Sequence, residues 1–415
     1  MRTTLCRYCA LLFLPVLCLR ASAQEPWSWQ KVRDRFEQNN PVLRAGHLNV
    51  DEAKANEITA NLRPNPQLGV VLDEFTVFNP DVLSANNAQW TPTVTQLIER
   101  QGKRHLRYQS AQLATKETQS DTQDLERNLL FNLRDAFVRL LAAKSILQLA
   151  SDNLAYYDKV IETNRERYKA GDIAKIDLSR VELQRAQFQS DYQNAQVGVR
   201  QAKLDLLALM NEKMPVDQFD VAGEFDFHDA LPDLGEVRRA AVAARPDLQA
   251  AQIAMQKANV DHKLAWANGS TDPILGVEYQ RMQQYNTLGL DFAIPLRIFD
   301  RNQGEKQRTQ IEIQRAERVQ EAVATSVLRD VDAAHAALAS VVELLKPYRD
   351  HYLPEATEVR ETISFSYSHG GASLLDFLDA QREYRDTQLN YRNLIASYLS
   401  AANQLNFTVG QEVIP

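Results

Sequence analysis

Cysteine, glycine and proline are all scarce in this sequence, and long apolar runs are missing. Its 415 residues include three cysteines, 14 glycines and 15 prolines. Cys6, Cys9 and Cys18 all fall within the first 23 residues. From Gln24 onward no thiol remains, which excludes a disulfide framework and thiolate metal ligands. The opening segment itself reads as a secretory leader, residues 1–23. Arg2 and Arg7 precede a short apolar core broken by Pro15, and small residues Ala21, Ser22 and Ala23 follow. The CxxC spacing of Cys6 and Cys9 therefore carries no redox or metal meaning. No later stretch approaches 18 consecutive apolar residues, so no transmembrane helix is expected. That leaves open a β-barrel, whose strands give a much weaker signal.

Other absences narrow the chemistry. The sequence has no HExxH, no GxSxG and no glycine-rich phosphate loop. Its seven histidines are scattered; His351 and His369 read as solvated surface residues, and Asp330 with Asp332 as a solvated helix face. The formal charge is −7, and about −10 once Arg2, Arg7 and Arg20 of the leader are removed. An acidic chain argues against nucleic acid as a partner. The expected function is passage and docking, with no catalytic residue, cofactor or resident metal.

What the chain does have is helix-forming Gln, Ala, Leu, Arg and Glu, arranged in a long-period repeat. A shift of 199 residues lays Tyr168, Gly171 and Asp177 over Tyr367, Gly370 and Asp376, and farther on Gln189, Tyr192 and Leu206 over Gln388, Tyr391 and Leu405. Earlier parts are related by a shift of about 205, so that "NNPVLRA" (39–45) resembles "ARPDLQA" (244–250). The chain divides into a first copy, 24–235, and a second, 236–415. Each begins with a helix (about 27–62 and 236–267) and two short strands (about 66–76 and 91–99; 273–282 and 286–296). A long helix follows (about 103–169 and 303–368), then a glycine turn and a return helix (about 175–211 and 374–406).

The second strand pair alternates most cleanly. Leu275, Val277, Tyr279, Leu288, Leu290 and Phe292 form one apolar set, and Glu278, Gln280 and Asp291 fall on the other face. The first pair alternates poorly and is expected mainly from the repeat. The long helix would span about 100 Å at 1.5 Å per residue, too long for a compact domain. The return helix and the next entry helix together match that length, as if stacked. In the return helix, Ile176, Leu183, Ser190, Val197 and Leu204 make one heptad row, and Val181, Phe188, Ala195, Ala202 and Leu209 another, nearly opposite. Two opposed seams suit a helix with a neighbour on each side. At the turn, Asp172 or Asp177 is placed to cap or begin the return helix.

These features, together with "TQLIERQGKR" (95–104), "IPLRIFDRNQG" (294–304) and "RYKAGDIAKIDL" (167–178), resemble the outer membrane efflux protein (TolC-like) family. The "PLRIFDRNQG" run is most like its CzcC-like heavy-metal branch. The resemblance covers nearly all of the chain after the leader. It implies a mainly α fold: a long α-helical barrel of hairpins, plus four strands per chain in a 12-stranded trimeric transmembrane β-barrel. It also implies a non-enzymatic exit duct in the outer membrane that extends into the periplasm. Its partners would be a periplasmic adaptor protein and an inner-membrane resistance-nodulation-division pump. Tyr168, Gly171, Asp177, Tyr367, Gly370 and Asp376 would sit at the hairpin tips that dock the adaptor. Glu278, Gln280 and Asp291 would face the lumen, and the apolar set the lipid. Many members carry a lipid-modified N-terminal cysteine; here Pro15, Val16 and Leu17 before Cys18 make no convincing lipobox. A duct for organic compounds and a soluble periplasmic coiled-coil scaffold stand as alternatives.

Overall fold

In the computed structural model the described residues are 25–73, 89–282 and 284–414; the leader and residues 74–76 of the first expected strand lie outside them. The first half contains α1 (Trp29–Asn39), α2 (Pro41–Asn61), β1 (Gln67–Asp73), β2 (Gln89–Leu97), α3 (Lys103–Ala170) and α4 (Lys175–Leu209). The second contains α5 (Leu234–Ala244), α6 (Pro246–Asn268), β3 (Ile274–Met282), β4 (Tyr285–Ala293), α7 (Gln303–Pro347), a π-helical turn (Tyr348–Tyr352), α8 (Leu353–Ser368) and α9 (Leu374–Val409).

Three of the expected helices are broken, each at proline. Asn40 and Arg245 precede prolines and take ψ of 118° and 120°, outside the helical region. The Pro ring disfavours helical backbone in the residue before it, while suiting the first helical turn itself. The entry helices are therefore α1 plus α2 and α5 plus α6. In the third long rod, Pro347 and Pro354 flank the π turn, where the Leu353 N–H reaches back to the Tyr348 carbonyl. Of the two long helices that follow the strand pairs, α3, at 68 residues, runs whole, about 100 Å.

The stacking also differs from the expected one. α4 stands end to end with α2 of its own repeat, and α9 with α6, rather than each return helix with the next entry helix. At the first joint the Asn40 side chain caps α2 by accepting from the Val42 and Leu43 N–H groups at 2.9 and 3.0 Å. Its amide N–H donates to the Leu209 carbonyl at the end of α4, 3.1 Å away. One amide thus satisfies orphan groups of two helices. At the second joint Arg245 donates toward the Thr408 carbonyl at 3.4 Å and is held by Asp247 and Asp330. Asp330 is thus an ion-pair partner of a buried guanidinium and not simply a solvated side chain.

Laterally the rods form a palisade. Its lower part runs α4, α3, α9, α8, and its upper part α2, α3, α6, α7. Two mid-height cores hold it. One joins α1, α3, α4 and the linker through Phe36, Leu133, Leu140, Leu206 and Phe219. The other joins α5, α7 and α9 through Val237, Leu338, Leu345, Tyr398 and Leu405. A third, small core near the turns holds Tyr157, Ile161, Val181 and Phe188.

The strands form one antiparallel sheet in the order β1-β2-β3-β4, so β2 and β3 join the two halves. Thr91 and Pro92 interrupt the β2–β3 pairing between Trp90–Arg281 and Thr93–Glu278. Proline has no N–H to give a ladder.

Candidate functional site

Three regions are candidates: the two faces of the sheet, the edges of the palisade and the two hairpin turns.

In the sheet, Leu275 pairs with Phe292, Val277 with Leu290 and Tyr279 with Leu288. All six side chains are exposed, Leu290 at 85%. The register extends this face to the first strand pair. Val94 lies between Leu68 and Val277, and Leu72 pairs with Trp90. The weak alternation of the first pair thus conceals a continuous apolar face, because it emerges only when β1 and β2 are placed in register. On the reverse face Glu278 pairs with Gly289 and Asp291 with Gly276. A Cβ on Gly289 would lie 2.7 Å from the Glu278 Cγ, and one on Gly276 would lie 2.8 Å from the Asp291 Cβ. Each carboxylate side chain occupies the space over a glycine of the next strand. Gln280 accepts from Thr287 at 3.2 Å on the same face. One face is therefore apolar and exposed and the other polar, while among the described residues β1 and β4 end the sheet with unpaired outer edges.

The palisade edges are α2 with α4 on one side and α7 with α8 on the other. On α4 the two heptad rows separate. Val181 and Phe188 are buried against α3, whereas Ile176, Leu183, Val197 and Leu204 are 50–74% exposed. The second seam is open. Across the chain, Leu328, Leu344, Tyr352, Val359 and Phe365 are exposed on α7, the π turn and α8.

Both turns use the same backbone device. Gly171 and Gly370 have φ of 85° and 80°, a left-handed conformation that β-carbons disfavour. The Gly171 N–H donates to the Tyr168 carbonyl and the Asp172 N–H to that of Arg167; Gly370 and Gly371 repeat this with Tyr367 and Ser366. This is the doubled C-terminal closure of a Schellman turn.

The side chains around the two turns differ. Tyr168 is 41% exposed, but its counterpart Tyr367 is buried. The Tyr367 ring stacks on Phe377 with centroids 4.8 Å apart. Its hydroxyl donates to Asn164 of α3 at 2.7 Å, and Arg167 donates to its carbonyl at 3.0 Å. Higher up, Gln381 of α9 donates to Ser364 and to Tyr156 of α3. These contacts tie the second hairpin to the first. Neither Asp172 nor Asp177 caps α4 by its side chain: the N-cap is Ala174, and Asp177 lies in the first turn. Asp376 instead forms a reciprocal capping box with Ser373, whose hydroxyl and backbone N–H hold the Asp376 carboxyl below the usual range. The first turn is ringed by Arg165, Glu166, Lys169 and Lys175; the second, from Ser366 to Ser373, bears no acidic or basic side chain but His369. Asn164, Arg167 and Gln381 were not legible in the sequence, because their partners lie about 200 residues away.

Among the described residues, no group of three or more His, Cys, Asp or Glu is arranged to hold a metal ion, and no helix is long and apolar enough to cross a membrane.

A family model described as "Outer membrane efflux protein" matches residues 32–212 and 237–411. The cobalt-zinc-cadmium resistance protein CzcC of Cupriavidus metallidurans is 23% identical over 393 residues, covering 90% of this chain and 87% of its own length. Among solved structures, CusC superposes with a TM-score of 0.78 at 18% identity, covering 92% of each chain. The open state of the Neisseria gonorrhoeae MtrE outer membrane channel gives 0.76 at 18% identity, covering 92% of this chain and 89% of that one.

Proposed function

Because the chain belongs to the outer membrane efflux protein family, we propose that three copies close into one duct, with a 12-stranded barrel in the outer membrane and a helical tunnel in the periplasm. The observation that carries this reading is the four-strand sheet, with an apolar exposed face and, among the described residues, two free edges. In lipid, unpaired strand edges leave backbone groups without partners, so closure must come from other chains. The open seam on α4 and the apolar exposure along α7 and α8 support the same closure among the helices. Leu275, Val277, Tyr279, Leu288, Leu290 and Phe292 face lipid; Glu278, Gln280 and Asp291 face the water-filled lumen.

The cargo is heavy-metal cations, supported by the relationship to CzcC and by the "PLRIFDRNQG" run. The duct works by passage rather than catalysis. It receives its cargo from an inner-membrane resistance-nodulation-division pump through a periplasmic adaptor. The adaptor docks at the turns around Tyr168, Gly171 and Asp177 and around Gly370 and Asp376, with Tyr367 bracing the second turn from inside. Deleting the gene and challenging the cells with a panel of metals and organic toxicants tests the cargo. Metal sensitivity is expected; sensitivity to organic compounds alone would move the reading to a drug duct. Membrane fractionation tests the duct itself, since a chain found wholly in the soluble periplasm would be a scaffold.

A further inference from the structure

At mid-height, α1, α3 and the end of α9 enclose an open cavity of about 370 Å³. Three arginines line it, and two are engaged. Arg33 pairs with Glu37 at 2.7 Å. Arg127 binds Asp124 and the Phe407 carbonyl, with its guanidinium 4.1 Å from the Phe407 ring centroid. Arg134 differs. Its guanidinium lies 4.6 Å from the Trp29 ring centroid, and among the described residues it has neither a hydrogen-bond acceptor nor an ion-pair partner. Burial pushes its pKa down, and only the more distant charge of Glu412 opposes that. Glu126 and Glu412 also line the cavity; among the described residues neither forms an ion pair, and the charge of Arg33 reaches both from farther off. The cavity thus holds an unpaired guanidinium and two unpaired carboxylates, all more than 4.0 Å from an opposite charge, with aromatic surface beside them. Half-burying a guanidinium without an acceptor is unfavourable, and a carboxylate presented to its planar fork removes that penalty.

We propose that this cavity binds a small zwitterion of the amino-acid or short-peptide class, with its carboxylate on Arg134, its ammonium toward Glu126 and Glu412, and an apolar body against Trp29 and Phe407. A simple anion fits less well, because the two carboxylates would repel it. A neighbouring copy is not the occupant, since α3 and α9 are the inner rods of the palisade and the chain's edges lie at α2 with α4 and at α7 with α8.

The test is calorimetric titration of the full-length assembled channel in detergent with phenylalanine, benzoate and phenethylamine. Saturable binding of phenylalanine is expected, with each single-charge probe about tenfold weaker or more. Arg134→Gln should weaken phenylalanine by about tenfold or more, since a neutral amide cannot replace a charged fork. The double variant Glu126→Gln with Glu412→Gln should weaken phenylalanine while strengthening benzoate. That reversal keeps the test decisive if Arg134→Gln disturbs assembly. No saturable phenylalanine binding in the wild type, or unchanged affinity in Arg134→Gln, overturns the site. Benzoate binding as tightly as phenylalanine overturns its zwitterion character.

Discussion

At the joint between upper and lower rods the first repeat places Asn40 and the second Arg245, each before a proline, each within bond reach of the end carbonyls of the return helix. The return helices end alike too: Asn211 and Gly410 stand at equivalent positions with φ of 53° and 82°. The backbone solution is common and the side-chain solution is not. The first joint is a neutral amide that caps one helix and donates to the other. The second is a buried cation, 6% exposed, that needs two carboxylates. The turns repeat the lesson with exposed Tyr168 and buried Tyr367. The two halves agree in where polar backbone ends must be satisfied and differ in how they satisfy them.

The largest expected break in this comparison is Arg245→Ala. It strands Asp247 and leaves Asp330 with its exposed neighbour Arg329 alone, at about 3 kcal/mol, against about 1 kcal/mol for loss of the cap in Asn40→Ala. Thermal unfolding followed by circular dichroism measures both, and equal losses would erase the distinction between the joints. The joints should also differ in acid. Burial pushes the Asp247 carboxyl up, but the hydrogen bonds and charge of Arg245 outweigh it and leave the group below its ordinary range. Its contribution is therefore complete above about pH 4 and is lost as pH falls through the lower folded value. Asn40 has nothing to titrate. As pH falls below about 4 the Arg245→Ala penalty should shrink while that of Asn40→Ala stays constant.

Next is Tyr367→Phe, which leaves the buried Asn164 carbonyl oxygen without its donor and should destabilise the second turn by about 1–3 kcal/mol. Tyr168→Phe should change nothing measurable. Hydrogen exchange of amides near each turn reads the two separately; equal protection losses would refute the asymmetry. Replacing Gly171 or Gly370 with Val should then cost about 1–2 kcal/mol apiece from the left-handed backbone alone, since a Cβ at either place meets nothing within 4 Å. Loss of export in both, with assembly intact, would fit the docking role; full export in both would remove the turns from it. The smallest effect is a gain: Asn211→Gly should stabilise the first joint by some tenths of a kcal/mol, about 0.5, by relieving positive φ.

Much of this was legible because its signals are local. Gly171 and Gly370 stop helices by their own backbone freedom, and Leu275 to Phe292 alternate within single strands. The breaks at Asn40-Pro41 and Arg245-Pro246 were visible as letters, but apolar periodicity continued on both sides and concealed them. Pro347 and Pro354, seven residues apart, were similarly the trace of the π turn. What could not be read were pairings across the chain. Lengths alone allowed α4 to stack with either entry helix, and nothing near Asp330 in sequence announces Arg245. The two α4 seams were legible as opposite, but which would be filled within the chain was decided by where α3 lies.

The uneven continuity of the rods has a mechanical consequence. A column made of two lengths butted together bends and twists at its joint, so torque applied below is partly spent there. The α2–α4 and α6–α9 columns have such joints at Asn40 and Arg245, and the α7–α8 column has its π turn. Among the described helices α3 alone is an unspliced shaft from turn to sheet. Stiffness along the molecule is thus concentrated in one rod: a load on the first turn enters that shaft end-on, and a load on the second reaches it sideways through Tyr367 and Gln381 or climbs its own columns through a soft coupling.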